Sequence, residues 1–357
     1  MGELRPEEDG VIADRRPLRV SPPEVHPVTA GDGVGLRLTR FRGGDKGPLM
    51  LVHCIGVSSD MYTLDTVETN LLEFLYAAGY DVWLLDFRFS ILLPDAARPH
   101  SFDEVATLDY PAAVAAVLQA TGRLSLQVVA HGVGSSTLTM ALLAGLRGVR
   151  AAVCSQVSTD LELPWLSRAK AALRLTSLAA AAGIDTMTAD VAASPDLGNA
   201  MYDELLKLHP IDEEERCDSK VCRRITVMYG ELYQHAQLSP ATHASLADLF
   251  GVVSTRAFGQ LSLLGRAGHL VNERGEEAYL PHLSRLALPM LFLHGAKNEC
   301  VLPRATEITM ERLTAANGTS WYSRTVIPDY GHVDCIIGRH ASRDVYPHIL
   351  AHLEAAA

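Results

Sequence analysis

The chain has 357 residues, of which 48% are apolar and 20% charged, so a sizeable core is expected and wholesale disorder is excluded. Thirty-one Lys and Arg residues against 42 Asp and Glu residues give a net charge of −11, which argues against nucleic acid as the main partner. No apolar run reaches the length of a membrane-spanning helix, so stable membrane insertion is not expected, and self-association is left open. Six cysteines are too few for a disulfide scaffold, and the charged first residues contain no secretory signal. We therefore expect a soluble cytoplasmic protein with reduced thiols.

Strand and helix signals alternate along the first 160 residues. Residues 1–24 are rich in proline and charge and predict a flexible leader. Period-two alternation on both sides of the turn at 31–33 predicts a β-hairpin. Short apolar runs predict buried strands at 49–52, 82–85, 126–130 and 151–154, and helical stripes predict helices at 66–78, 109–121 and 136–146. This order predicts an α/β fold, with a mostly parallel sheet and helices on both faces.

The alternation stops near Asp160. Residues 161–285 are mostly helical in pattern, strands return at 289–293 and 325–327, and a helix is predicted at 343–355. We therefore predict a core formed by 25–160 and 286–357, with a helical cap at 161–285 inserted before the last two strands. The Leu-, Ala- and Met-rich composition of the cap fits an apolar substrate chamber and packing within the cap equally well.

The segment 128–137 reads as a strand, a turn of small residues and a helix, which is the context of a nucleophile elbow. Here the chain resembles the α/β-hydrolase fold. The blocks 51–59, 78–86 and 102–112 are similar to its acid-lipase branch, and 217–238 is closer still to lipase-like domains fused to cholesterol-oxidase-type oxidoreductases. The resemblance implies an esterase-like or lipase-like enzyme with a catalytic triad and a lipophilic substrate. It also implies an oxyanion hole formed by the backbone N–H groups of Ile55 and Val133.

The nucleophile position departs from that pattern. Relatives place Ser, or in the closer ones Cys, where this chain has Gly132. Glycine cannot form an acyl-enzyme, and Ser135 and Ser136 lie inside the predicted helix that follows. The acyl-transfer chemistry is therefore absent or has moved to another residue.

Cys54 is the candidate for a moved nucleophile. Relatives usually have glycine after the position of His53, so Cys54 and Gly132 look like a thiol and a glycine that have exchanged places. A thiol on this loop could face the same cavity and be activated by a histidine. The alternative is a small buried cysteine that fills space.

His332 lies in the loop after the last predicted strand, where the fold keeps its general base. Asn298 stands where an acid is expected, and we predict that it orients the imidazole by accepting its N–H, as in Cys-His-Asn proteases. Asp160, which follows a neighbouring strand, is a second candidate for this role. Glu299 is a third.

No metal or cofactor is predicted. Cys217 and Cys222 lack the spacing of a CxxC zinc site, and the histidines show no HExxH motif. The glycines at 132 and 134 lack the third glycine and the acid of a dinucleotide site.

Three functions fit these observations. The first is hydrolysis or acyl transfer on a lipophilic ester, thioester or lactone, with the nucleophile lost or moved to Cys54. The second is a cyclase, lyase or rearrangement enzyme that uses His332 as a base and the Ile55 and Val133 donors to hold an oxyanion. The third is a pseudoenzyme that binds a ligand without chemistry.

Overall fold

An eight-stranded sheet forms the centre of the molecule. The computed structural model describes residues 16–173, 183–191, 206, 211 and 213–356. The strands lie in the order β1-β2-β4-β3-β5-β6-β9-β10; β1 and β2 run antiparallel to their neighbours and the others are parallel. Their bounds are β1 Glu24–Thr29, β2 Gly35–Arg42, β3 Lys46–Val52, β4 Tyr80–Asp86, β5 Leu126–His131, β6 Val149–Ser155, β9 Met290–Gly295 and β10 Tyr322–Ile327.

Helices cover both faces of this sheet, so its central strands are buried on both sides. Two clusters of buried apolar side chains, one on each face, account for the continuous apolar runs in β3, β4 and β5. The helices of the core are α1 Leu71–Ala77, α2 Phe102–Glu104, α3 Tyr110–Thr121, α4 Val133–Ala144, α10 Arg304–Asn317, α11 Asp334–Ile337, α12 Ala341–Asp344 and α13 Tyr346–Ala355. The predicted fold class, hairpin and buried strands are confirmed.

Two helix starts differ from the prediction for local reasons. Helix α1 begins at Leu71 because Asn70 and Glu73 form a reciprocal capping box, which the apolar stripe from 66 onward does not reveal. Helix α4 begins at Val133, three residues earlier than expected, because the chain enters it directly from a turn at Gly132.

The insertion contains helices and a short pair of strands. Strands β7 Thr186–Thr188 and β8 Val252–Ser254 pair antiparallel, which the sequence did not indicate. Parts of the predicted helical cap, at 174–182, 192–205, 207–210 and 212, lie outside the described residues. Within the described part of the insertion, the helices are α5 Trp165–Ala172, α6 Lys220–Tyr229, α7 Pro240–Ala244, α8 Leu246–Leu249 and α9 Thr255–Ala267.

The end of the predicted leader packs on the core. Arg16 forms a two-fold hydrogen-bonded ion pair with Glu73, at 2.6 and 2.7 Å, and the backbone N–H of Arg19 donates to the same carboxylate. The boundary expected at residue 24 therefore falls after a segment, 16–23, that already contacts α1.

Among the described residues, no helix has the length and apolarity needed to cross a membrane.

Candidate active site

The turn at Gly132 keeps the backbone shape of a nucleophile elbow. Gly132 has φ 55° and ψ −124°, between the carboxyl end of β5 and the first turn of α4. A side chain is strained in this conformation, as it is at an elbow nucleophile. Two residues on, a Cβ at Gly134 would clash with the carbonyl oxygen of His53, so the turn packs directly against the loop after β3. The elbow is therefore intact and lacks only its side chain.

The thiol of Cys54 fills the space where that side chain would begin. A Cβ on residue 132 would lie 2.5 Å from Cys54 Sγ and 3.0 Å from His332 Nε2. The backbone N–H of Val133 donates to Sγ at 3.4 Å. Burial raises the pKa of the Cys54 thiol to about 11, although hydrogen bonds from the backbone N–H groups of Val133 and Ile55 favour the thiolate. Both predicted oxyanion donors thus point at one sulfur atom.

His332 is held opposite this sulfur as a neutral imidazole. Burial, together with the nearby His131 and His294, holds the pKa of His332 well below its ordinary value. The backbone N–H groups of His332 and Val333 both donate to the carbonyl oxygen of Leu232, at 2.9 and 2.7 Å. A segment of the cap therefore positions the loop that carries the histidine.

Asn298 contacts Nδ1 of His332, but as a donor. Its Oδ1 accepts from the backbone N–H groups of Cys300 and Val301, at 2.9 and 3.0 Å, which fixes the orientation of the amide. Its Nδ2 then donates to Nδ1 of His332 and to Oε1 of Gln156, both at 3.0 Å. Nδ1 is consequently an acceptor, and the imidazole proton lies on Nε2. The expectation that Asn298 accepts the histidine N–H is wrong, because two backbone donors already occupy its oxygen.

Gln156 is a site residue that the sequence analysis missed. It follows β6 with φ 77°, and its Oε1 accepts from the backbone N–H of Gly295 at 3.0 Å as well as from Asn298. These bonds fix the direction of the Asn298–His332 contact. Its position directly after a buried strand, at the carboxyl edge of the sheet, was the available signal.

Asp160 does not contact His332. Its carboxylate is bound by the guanidinium of Arg312, at 2.8 Å, and by the hydroxyl of Thr159, also at 2.8 Å. The expectation that Asp160 orients the imidazole is therefore wrong. Glu299 lines a separate cavity with Trp165 and Lys170.

Hydrogen bonds to Asp86 and a ring contact hold the loop that carries Cys54. The Asp86 carboxylate accepts from the backbone N–H and the hydroxyl of Ser59, both at 2.9 Å, and from the hydroxyl of Ser90. The ring of His53 stacks on Phe87 with centroids 4.4 Å apart. A buried polar network therefore sets the position of the thiol.

A narrow apolar cavity leads to Cys54 and His332. Its volume is about 60 Å³. The cap contributes five residues to its wall: Leu161, Tyr229, Leu232, Phe250 and Leu261. Apolar lining residues are Ile55, Val57, Val157, Leu161, Leu232 and Phe250.

The structure also brings together four side chains in the cap that the sequence analysis excluded as metal ligands. They are Cys217, Cys222, His235 and His243. They come from separate short elements, so no spacing motif marks them.

Partial sequence relatives are animal lipases. No family model matches the chain. It is 32% identical over 137 residues to lipase lipl-3 of Caenorhabditis elegans, covering 33% of each chain. It is 30% identical over 132 residues to the gastric triacylglycerol lipase of Bos taurus, covering 32% of this chain and 33% of the lipase. The match thus spans about a third of the length of these relatives.

Solved esterase structures share the whole architecture. An esterase from Exiguobacterium antarcticum superposes with a TM-score of 0.57 at 12% identity, covering 93% of this chain and all of the other. One from Pyrococcus furiosus gives 0.54 at 13% identity, covering 99% of each chain. This chain has the α/β-hydrolase fold. At these identities the likeness shows the fold alone, and within that fold Gly132, Cys54 and His332 lie at the carboxyl edge of the sheet where ligands bind.

Proposed function

We propose that this protein hydrolyses apolar esters or thioesters, with Cys54 as the nucleophile in place of the missing side chain at position 132. The observation that carries the proposal is the position of Cys54 Sγ, 2.5 Å from where the elbow side chain would begin. The lipase relatives and the apolar cavity support an apolar acyl group as the substrate. A reducing, cytoplasmic-type compartment is part of this proposal, because Cys54 acts only as a free thiol.

The hydrogen bonds indicate how such a reaction would run. The Cys54 thiol loses its proton to water, and the thiolate attacks the carbonyl carbon. The ester oxygen leaves while it accepts a hydrogen bond from the Nε2–H of His332 and takes its proton from water, and a thioester remains on Cys54. Water then adds to the thioester carbonyl, the bond to Sγ breaks, the acid is released and the Cys54 thiolate is restored. An alcohol in place of water would give acyl transfer. As Sγ moves onto the carbonyl carbon, the N–H groups of Ile55 and Val133 become free to hold the oxyanion.

The protonation of His332 weakens the non-acylating alternative. A base needs an unprotonated nitrogen on the cavity side, whereas the Asn298 contact places the proton on Nε2. In that alternative His332 would act as a donor to a substrate oxygen.

The test compares Cys54→Ala and Cys154→Ala on p-nitrophenyl and thioester substrates of increasing acyl length. Cys154 is a buried thiol in β6, outside the cavity, and its variant is the matched control. We expect turnover and a trapped acyl adduct on Cys54 in the control, and neither in Cys54→Ala. Turnover that needs His332 but not Cys54 would instead indicate the non-acylating enzyme. Binding of fatty acyl ligands without turnover would indicate a pseudoenzyme.

A further inference from the structure

Two thiols and two imidazoles converge in the cap, away from Cys54 and His332. One potential ligand atom from each of the four residues lies within 4.8 Å of all the others. Nε2 of His243 is 3.0 Å from Cys222 Sγ and 3.7 Å from Cys217 Sγ. A tetrahedral zinc site with Zn–S near 2.3 Å and Zn–N near 2.0 Å has edges of about 3.3–3.8 Å, so small side-chain movements would complete one.

The four residues lie on different short elements of the cap. Cys217 precedes α6 and Cys222 lies in its first turn, while His235 begins the 3-10 turn His235–Gln237 and His243 lies in α7. Cys222 is buried and the other three are partly buried. A metal ion would therefore cross-link a region that has little regular structure of its own.

Glu215 orients one imidazole as a carboxylate does in zinc proteins. Its Oε2 lies 2.6 Å from Nδ1 of His235 and also accepts from the backbone N–H of that residue at 2.8 Å. This leaves Nε2 as the ring atom that His235 offers to the cluster, and Nε2 is buried without a hydrogen-bond partner. A carboxylate behind a ligating histidine is the usual arrangement around zinc.

We propose that Cys217, Cys222, His235 and His243 bind one Zn²⁺ ion in a closed structural site. The donor set of two sulfur and two nitrogen atoms favours zinc over calcium or magnesium, which take oxygen ligands. Four protein ligands leave no open position for a substrate, so the role is structural. The proposal does not depend on the proposed hydrolase activity.

The proposed zinc site is connected to the loop that carries His332 through the segment 232–235. Leu232, whose carbonyl oxygen accepts from the backbone N–H groups of His332 and Val333, lies three residues before His235. The backbone N–H of Gln234 donates to the Asp334 carboxylate at 3.2 Å. Zinc at this cluster would hold the segment that positions His332.

The test is metal content of the full chain, purified under reducing conditions, stripped with a chelator and re-equilibrated with Zn²⁺. We expect one tightly bound equivalent, and cobalt substitution should give the absorption bands of tetrahedral thiolate ligation. Cys222→Ser and His243→Ala should lose the tight site, while Cys154→Ala and the exposed His348→Ala should keep it. Glu215→Gln, which leaves the ligands in place, should weaken zinc binding by about 10–100-fold.

Three results would overturn the proposal. The first is substoichiometric zinc in the folded wild-type protein after re-equilibration. The second is one equivalent that survives in both Cys222→Ser and His243→Ala. The third is a disulfide between Cys217 and Cys222 in freshly purified protein, which would make the pair a redox element instead.

Discussion

At the scale of single residues, the candidate site is defined by the contact between position 132 and Cys54. Gly132 has the strained backbone of an elbow without a side chain, and Cys54 brings a thiol to the same place from another loop. This thiol differs from an ordinary cysteine nucleophile because its histidine neighbour is neutral and carries its proton on Nε2. No imidazolium stabilises the thiolate, so burial dominates its acidity.

The pH dependence of turnover follows from this environment. Because burial raises the pKa of the Cys54 thiol to about 11, only a small fraction is thiolate at neutral pH. We expect kcat/KM to rise about tenfold per pH unit between about pH 7 and 10, since each unit below the pKa lowers the thiolate fraction tenfold. The His332 pKa lies well below its ordinary value and adds no further inflection in this range. The alkylation rate of Cys54 by iodoacetamide, followed by mass spectrometry, should rise in parallel; a plateau at neutral pH would contradict the neutral-thiol arrangement.

Exchanging the two residues back tests the shared position. In Gly132→Cys alone, the new Cβ lies 2.5 Å from Cys54 Sγ, and the side chain adopts a conformation that costs about 1–3 kcal/mol. We expect that variant, and the matched Gly132→Ala, to lose stability and turnover because both displace the Cys54 thiol. The double variant Cys54→Gly with Gly132→Cys removes the crowding and should regain turnover, with the acyl adduct now at position 132. A folded but inert double variant would count against acyl chemistry at this site.

At the scale of secondary-structure elements, local polar contacts determine where a helix begins and which chain segment packs against it. Helix α1 begins at Leu71 because of its capping box, and Glu73 in that box also binds Arg16 and Arg19 from the end of the predicted leader. One carboxylate therefore caps a helix and anchors the chain segment that precedes β1.

This carboxylate makes stability depend on pH. Burial would raise the pKa of Glu73, but hydrogen bonds from Arg16 and Arg19 lower it from an ordinary value of 4.5 to about 2. Its stabilising effect is thus complete above pH 4.5 and is lost as the pH falls towards 2. We expect the Glu73→Gln variant to have a lower Tm than the wild type at neutral pH. The difference in Tm between the two proteins should shrink in acid. Glu68→Gln, on the exposed side of the same region, is the control and should leave the Tm profile unchanged.

At the scale of the whole molecule, the cap and the core are coupled at the loop that carries His332. The carbonyl oxygen of Leu232 in the cap accepts hydrogen bonds from the backbone N–H groups of His332 and Val333 at the end of that loop, and the proposed zinc ligands flank the same segment of the cap. The long insertion thus acts on the site through backbone hydrogen bonds as well as through the walls of the cavity.

Removal of zinc should therefore loosen one part of the core selectively. We expect faster hydrogen–deuterium exchange at the backbone amides of His332 and Val333 in chelator-treated protein, because their acceptor Leu232 loses its anchor. Peptides that cover β5 and α4 should exchange at the same rate with and without zinc. If the amides of His332 and Val333 exchange at the same rate with and without zinc, the metal site does not stabilise the loop that carries His332.

The sequence by itself determined the fold class, with its mostly parallel sheet, and the presence of glycine at position 132. Apolar runs in β3, β4, β5 and β6 mark strands buried on both faces. Chain order places Gly132, Asn298 and His332 after the carboxyl ends of β5, β9 and β10. Only the tertiary structure showed that Cys54 Sγ lies where a side chain at position 132 would begin. It also showed that Gln156 and two backbone donors orient the Asn298 amide towards Nδ1 of His332. Finally, it showed that two cysteines and two histidines, far apart in the chain, meet in the cap. The physical reason is that each of these arrangements joins loops far apart in the chain. Periodicity reports which face of an element is buried, whereas the direction of a hydrogen bond and the meeting of side chains depend on how the loops pack.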